Sequence, residues 1–187
     1  LLKKLPETVD TLRLFLVIFK HQFIRVQCAN NKNFIPFLKL IIEQLNSAGV
    51  VTIVCTIIRR IELDEQYVKN LGKQGLVKAF IQSATQNDDD TKGASHSLLL
   101  FLNTIAEYAY LDDYLSIIPF IVDKTTHDKN LSEIASYIDV TLAKYQECLD
   151  KMIELKLDTF FRKQVSNPNS PKMQKNAKKF LKFIDQS

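Results

Sequence analysis

Apolar residues recur along this chain in blocks about forty residues apart. The blocks open at Phe34-Ile35-Pro36-Phe37-Leu38, Leu76-Val77-Lys78-Ala79-Phe80, Ile117-Ile118-Pro119-Phe120-Ile121 and Leu157-Asp158-Thr159-Phe160-Phe161, and their first residues are spaced by 42, 41 and 40. Between and within the blocks, apolar positions fall at three- and four-residue steps, the period of a helix with one buried face. A first helix is predicted over 9–24, with apolar residues at 12, 15, 16, 19 and 23. It is entered through Pro6, whose missing N–H costs nothing in a first turn. The polar run Ala29-Asn30-Asn31-Lys32-Asn33 breaks the pattern, which resumes over 34–45 and stops at Asn46-Ser47-Ala48-Gly49. Residues 50–61 are rich in β-branched side chains and alone resemble a strand. Their length and their recurrence at 50, 54, 57/58 and 61 assign them to a helix, with Val54, Ile58 and Ile61 towards the core. Further helices are expected over 64–71 (ending at Gly72 and Gly75), 76–84, 95–110 (capped by Ser95 or Ser97), 112–117, 119–125, 131–149, 151–165 and 172–184.

A fixed period of this length is the signature of stacked helical units, none of which buries its apolar face alone. The segment Tyr67-Val68-Lys69-Asn70-Leu71-Gly72-Lys73-Gln74-Gly75-Leu76-Val77-Lys78-Ala79-Phe80-Ile81 resembles the armadillo junction, where a short first helix ends at glycine and an apolar second helix begins. Leu98-Leu99-Leu100-Phe101-Leu102-Asn103-Thr104-Ile105-Ala106 resembles the armadillo third helix. The resemblance covers roughly 9–187 and extends equally to HEAT repeats, since Pro119 stands in place of a glycine junction. It implies an all-α fold, a right-handed armadillo-like superhelix of about four repeats, occupying 1–187 as one domain. The chain opens on Leu1 within an apolar pattern and reads as a segment of a longer protein. The resemblance also implies protein recognition along a concave face lined by the third helices. The Trp and Asn ladders of nuclear-import adaptors are missing: there is no Trp, and the ladder positions hold Leu100 and Thr104. A similar helix pattern occurs in the GTPase-binding region of diaphanous-type formins, which makes a small GTPase the alternative partner.

Composition agrees with helices, because 187 residues that are 46% hydrophobic contain only 4 Gly and 5 Pro. Leu12–Phe19 is closed by Lys20, His21 and Arg25, and 35–61 is interrupted by charges, so neither has the roughly 18 apolar residues of a membrane span. A soluble, cytoplasmic protein is expected. Charge is distributed unevenly. Residues 1–150 hold 16 Lys and Arg against 18 Asp and Glu, whereas 151–187 hold 9 against 3.

Helix phase places Arg59 and Arg60 on the groove, equivalent to Asn103 and Thr104 in the next unit, with Lys20 and Lys144 in comparable positions. That basic row fits an acidic or phosphorylated peptide, or an acidic protein surface. In the last helix Lys172, Lys175, Lys178, Lys179 and Lys182 alternate with Met173, Ala177, Phe180, Leu181, Phe183 and Ile184. Two readings follow: a basic amphipathic helix for membrane or nucleic acid, or the polar outer face of a terminal repeat.

No residue set declares an enzyme. His21, His96 and His127 lack a neighbouring nucleophile and acid at catalytic spacing. Cys28, Cys55 and Cys148 are widely spaced, as core thiols are, and do not have zinc-ligand spacing. Asp88-Asp89-Asp90 lacks the glycine and closing glutamate of a calcium loop, and Asp112-Asp113 suits a helix start. The aromatic sets Phe15, Phe19, Phe23 and Tyr108, Tyr110, Tyr114 read as packing between repeats. No cofactor and no small-molecule substrate is expected.

Overall fold

The computed structural model describes residues 5–61, 65–86, 92–106 and 111–186. Every regular element among them is helical. In chain order these are α1 (Leu5–Ile18), α2 (Gln22–Ala29), α3 (Phe34–Leu45), α4 (Ala48–Arg59), α5 (Glu65–Lys73), α6 (Leu76–Gln86), α7 (Lys92–Ile105), α8 (Leu111–His127), α9 (Ser132–Leu142), α10 (Gln146–Glu154), α11 (Leu157–Ser166) and α12 (Pro171–Ile184). None of these helices is long and apolar enough to cross a membrane.

Local chemistry explains several boundaries. Asn46 ends α3 in the left-handed conformation (φ 33°), and Ser47 starts α4 by accepting the Val50 N–H at 3.3 Å. Ser170 does the same for Met173 at 3.1 Å, with Pro171 in the first turn of α12. Gly75 turns α5 into α6 at φ +71°, where a side chain would be strained. The β-branched run forms α4 and buries Val50, Val54, Ile57 and Ile58 completely, because burial outweighs propensity.

Six expectations are corrected. The helix over 9–24 is two helices. Its last turn tightens into i→i+3 bonds from Lys20 N–H to Val17 O and from His21 N–H to Ile18 O, and the chain turns before α2. Phe23, assigned to the core stripe, is therefore 71% exposed. Pro119 does not divide two helices: α8 runs through it, with the ring at an exposed position. The helix over 131–149 breaks at Ala143–Tyr145, and the one over 151–165 breaks at Leu155 and Lys156, the latter at φ +61°. Ser95 is buried inside α7, which begins at Lys92, so it is not a cap. Asp88–Asp90, Tyr108 and Tyr110 lie outside the described residues, as do the side chains of Asp112 and Asp113.

The chain divides into two compact units, Leu1–Thr104 and Ile105–Ser187. In the first, α1 packs on α4, α3 packs on α4 and α6, and α6 also meets α5. Phe19 stacks on Phe34 at 5.8 Å with Phe15 beside it at 5.0 Å, and Phe80 meets Phe101 at 5.2 Å. In the second, α8 packs on α9, α10 and α11, while α12 packs on α9 and α11. Phe161 and Phe180, both fully buried, meet at 4.9 Å. Each unit thus pairs helices three places apart in the chain: α1 with α4 and α3 with α6, then α8 with α11 and α9 with α12.

The second unit also carries polar ties between helices. Thr125 Oγ1 on α8 donates to Asp139 Oδ2 on α9 at 2.6 Å. Asn176 Nδ2 on α12 donates to Ser136 Oγ on α9 at 2.9 Å. Ser170 Oγ donates to Glu133 Oε1 at 2.6 Å, and Lys172 Nζ lies 3.4 Å from Glu133 Oε2. The Ser170 hydrogen bond, aided by Lys172, holds the Glu133 carboxyl below its ordinary pKa.

Candidate binding surfaces

At the C-terminal end of α1 the last carbonyls of the helix face outward, a locally negative point that attracts cations. Two arginines meet it. Arg60, at the end of α4, donates from Nη1 to Leu16 O at 2.6 Å. Arg25 on α2 reaches back to Lys20 O at 2.7 Å and Phe19 O at 3.2 Å. Arg60 therefore ties α4 to α1, and its guanidinium is half-buried in that task. Lys20 and Arg59, beside these contacts, are exposed. The hydrogen bonds thus bring Arg60 and Arg25 to one helix end, with Arg59 next to Arg60 in the chain and Lys20 supplying an acceptor. The sequence reading missed Arg25 because its role depends on the reversal at 19–21.

Asn103 and Thr104 end α7. Asn103 is half-buried, and its Oδ1 has no hydrogen-bond partner among the described residues. The Thr104 hydroxyl donates to Leu100 O at 2.9 Å. Lys144 belongs to the second unit, in the turn after α9, with its ammonium 4.9 Å from the Tyr145 ring centre.

The first unit also exposes apolar side chains. Leu14 (64%), Val17 and Ile18 lie on the side of α1 opposite Leu12 and Phe19. Phe23 and Val26 stand out from α2, and Phe37 and Leu40 lie opposite the buried residues of α3. Helix α2 buries no residue at all. It borders a hollow of about 210 Å³ lined by Gln22, Arg25, Val26, Asn30, Ile61 and Tyr67. Burial, with Cys28 nearby, pushes the Tyr67 hydroxyl up to about 12, so it stays a neutral donor and acceptor.

A second charged surface lies on α12. Lys175, Lys178, Lys179 and Lys182 are all exposed on the side opposite Met173, Asn176, Ala177 and Phe180, which are buried.

The other candidate groups show no assembled chemistry among the described residues. His21 and His96 are exposed. His127 contacts both Thr126 Oγ1 (2.8 Å) and Asp123 Oδ1 (3.1 Å) through the same nitrogen, Nδ1, so the ring is not placed between an acid and a nucleophile as a relay requires. Cys55 and Cys148 are buried and Cys28 half-buried. Burial raises all three thiol pKa values, which disfavours the reactive thiolate. No three His, Cys, Asp or Glu side chains gather as a metal-ligand set among these residues.

No family model, curated protein or solved structure matches this chain.

Proposed function

We propose that the chain is a protein-binding scaffold of the armadillo-like α-solenoid kind, and that its first unit takes an amphipathic segment of a partner whose polar side is acidic. The pairing of helices three places apart supports the solenoid part of this reading, since like helices of successive three-helix repeats stack in that register. The observation that carries the binding part is the exposure on α1–α3 of Leu14, Val17, Ile18, Phe23, Val26, Phe37 and Leu40, in the unit that also exposes Lys20 and Arg59. Single exposed apolar residues are ordinary. Seven on three consecutive helices, against only Tyr137 and Ile153 among the other described residues, are a concentration that suits an interface.

The roles divide by chemistry. Phe23 is the anchor, an aromatic ring that loses water on binding and is already held on a helix. Leu14, Val17 and Val26 supply apolar contact, while Lys20 and Arg59 attract and orient carboxylates. A labelled helical peptide with a leucine face and a glutamate face tests this by fluorescence anisotropy. Phe23→Ala with Val26→Ala is expected to weaken binding by about tenfold or more, and Lys20→Glu with Arg59→Glu by about tenfold. If both folded double variants bind the peptide like the parent chain, the proposal fails.

A further inference from the structure

The exposed surface of α12 consists of Pro171, Lys172, Lys175, Lys178, Lys179 and Lys182 and nothing else within the helix. Residues 171–184 contain no Asp or Glu. Lys172 is drawn to Glu133 on α9, but Lys175, Lys178, Lys179 and Lys182 have no ion-pair partner among the described residues. Lys175 and Lys182 each stand three or four residues from both Lys178 and Lys179, the spacing at which like charges repel along a helix. The helix tolerates this repulsion because its other side is fully packed, with Met173, Ala177 and Phe180 completely buried. A stripe that breaks a local stability rule while its underside obeys every packing rule is where function is to be sought. The lysines, with Pro171 and Gln174, border an open hollow of about 320 Å³.

We propose that this face of α12 docks the protein on an anionic lipid surface, its lysines meeting the phosphate-bearing headgroups. Three observations select this polyanion. First, the apolar side chains of α12 lie on the side away from the lysines, with Met173, Ala177 and Phe180 buried and Leu181, Phe183 and Ile184 half-buried, so the exposed face meets the surface by charge rather than by insertion. Second, the face lacks the side chains that pair with adenine or stack on bases: it has no exposed Arg, Asn, Gln or aromatic residue, and Gln174 is occupied with Val165 O at 3.0 Å. Third, Lys175 and Lys182 lie only about 10 Å apart along the helix axis, too short a track to follow the fixed phosphates of a duplex. Mobile lipid headgroups gather around such a short stripe, and lysine, a point charge without a required angle, suits them.

The test uses the whole 187-residue chain with vesicles containing about one third phosphatidylserine, the kind of surface that attracts basic stripes. Partition is expected to fall steeply between low and high salt and to be absent on purely phosphatidylcholine vesicles. Replacing Lys175, Lys178, Lys179 and Lys182 together by Gln is expected to lower partition by about two to three orders of magnitude, each lysine being worth about fivefold. Replacing them by Arg is expected to retain it. All four are exposed, so both variants keep the parent's helical circular dichroism. Equal binding to neutral vesicles, undiminished binding of the Gln variant, or capture of duplex DNA without vesicle binding would each overturn the proposal. Loss of binding in the Arg variant would overturn it as well.

Discussion

The two units contain similar helices and hold them together differently. In the second, α9 is tied to α8 by Thr125 and Asp139 and to α12 by Ser136 and Asn176, with Glu133 receiving Ser170 and Lys172. Direction-dependent hydrogen bonds of this sort fix one arrangement of neighbouring helices. In the first unit, α1 and α3 share an aromatic cluster, two arginines cap α1, a side-chain pair (Ser83 Oγ donating to Asn46 Oδ1 at 2.7 Å) ties α6 to the end of α3, and α2 contributes no buried residue. Apolar contact is non-directional, and here seven large apolar side chains of α1–α3 stay exposed. The contrast is between a unit whose α9 is pinned on two sides and a unit whose α2 buries nothing. The difference lies in which helix faces are polar underneath and which are apolar outside.

The comparison can be broken most forcefully at the aromatic residues. Phe180→Ala removes a fully buried ring from the second unit and should cost about 3–5 kcal/mol in a denaturant melt. Phe23→Ala removes a ring of the same size from the first and should change stability by no more than about 0.5 kcal/mol. Equal losses at both positions would mean that Phe23 is covered after all.

Asp139 sharpens the contrast through pH. Its carboxyl is fully buried, its Oδ1 has no partner among the described residues, and desolvation raises its pKa to about 7 against the weaker opposing effect of the Thr125 hydrogen bond. The folded unit therefore keeps a proton that the unfolded chain gives up near pH 4. Stability from this group is complete below pH 4, declines as pH rises to 7, and is lost above that. The loss is on the order of 4 kcal/mol at most. Asp139→Asn should abolish the decline and leave the variant more stable than the parent at pH 8, as thermal melts across that range will show. Glu133, whose pKa is lowered, acts in the opposite sense and only at the acid end, losing its contribution as pH falls below 4.5. A parent chain whose melting temperature is flat between pH 4 and 7 would contradict the assignment to Asp139.

The smallest effect is expected at the arginine caps. Arg60→Ala leaves Leu16 O without its charged donor and should cost about 1–2 kcal/mol, read in the first unit's unfolding. Arg59→Ala, one residue away and exposed, should cost nearly nothing.

Much of the fold was legible because burial follows period. The repeat blocks mark α3, α6, α8 and α11, and the context of the repeat assigned the β-branched run to α4. What was missed depends on backbone events with weak sequence signals. Lys156 takes the left-handed conformation usually given to Gly or Asn, so the break between α10 and α11 carries no punctuation. The apolar spacing of Phe15, Phe19 and Phe23 continues across a real chain reversal, which is why Phe23 read as core. Pro119 misled in the other sense: a helix already fixed by Ile117, Ile118 and Ile121 in the core continues through it. For the sites, helix phase was enough to mark Lys20, Arg59 and the α12 lysines as exposed. It was not enough to show that Arg60 is occupied, since its acceptor lies 44 residues away.

The most direct test of the open first unit is amide hydrogen exchange on the whole chain, with and without the acidic amphipathic peptide. Alone, amides of α2 should exchange much faster than those of α9, because no buried side chain holds α2 closed. With peptide, protection should rise across α1–α3 and stay unchanged across α8–α11. Protection confined to the second unit, or an α2 already as slow as α9 before any peptide is added, would contradict the account.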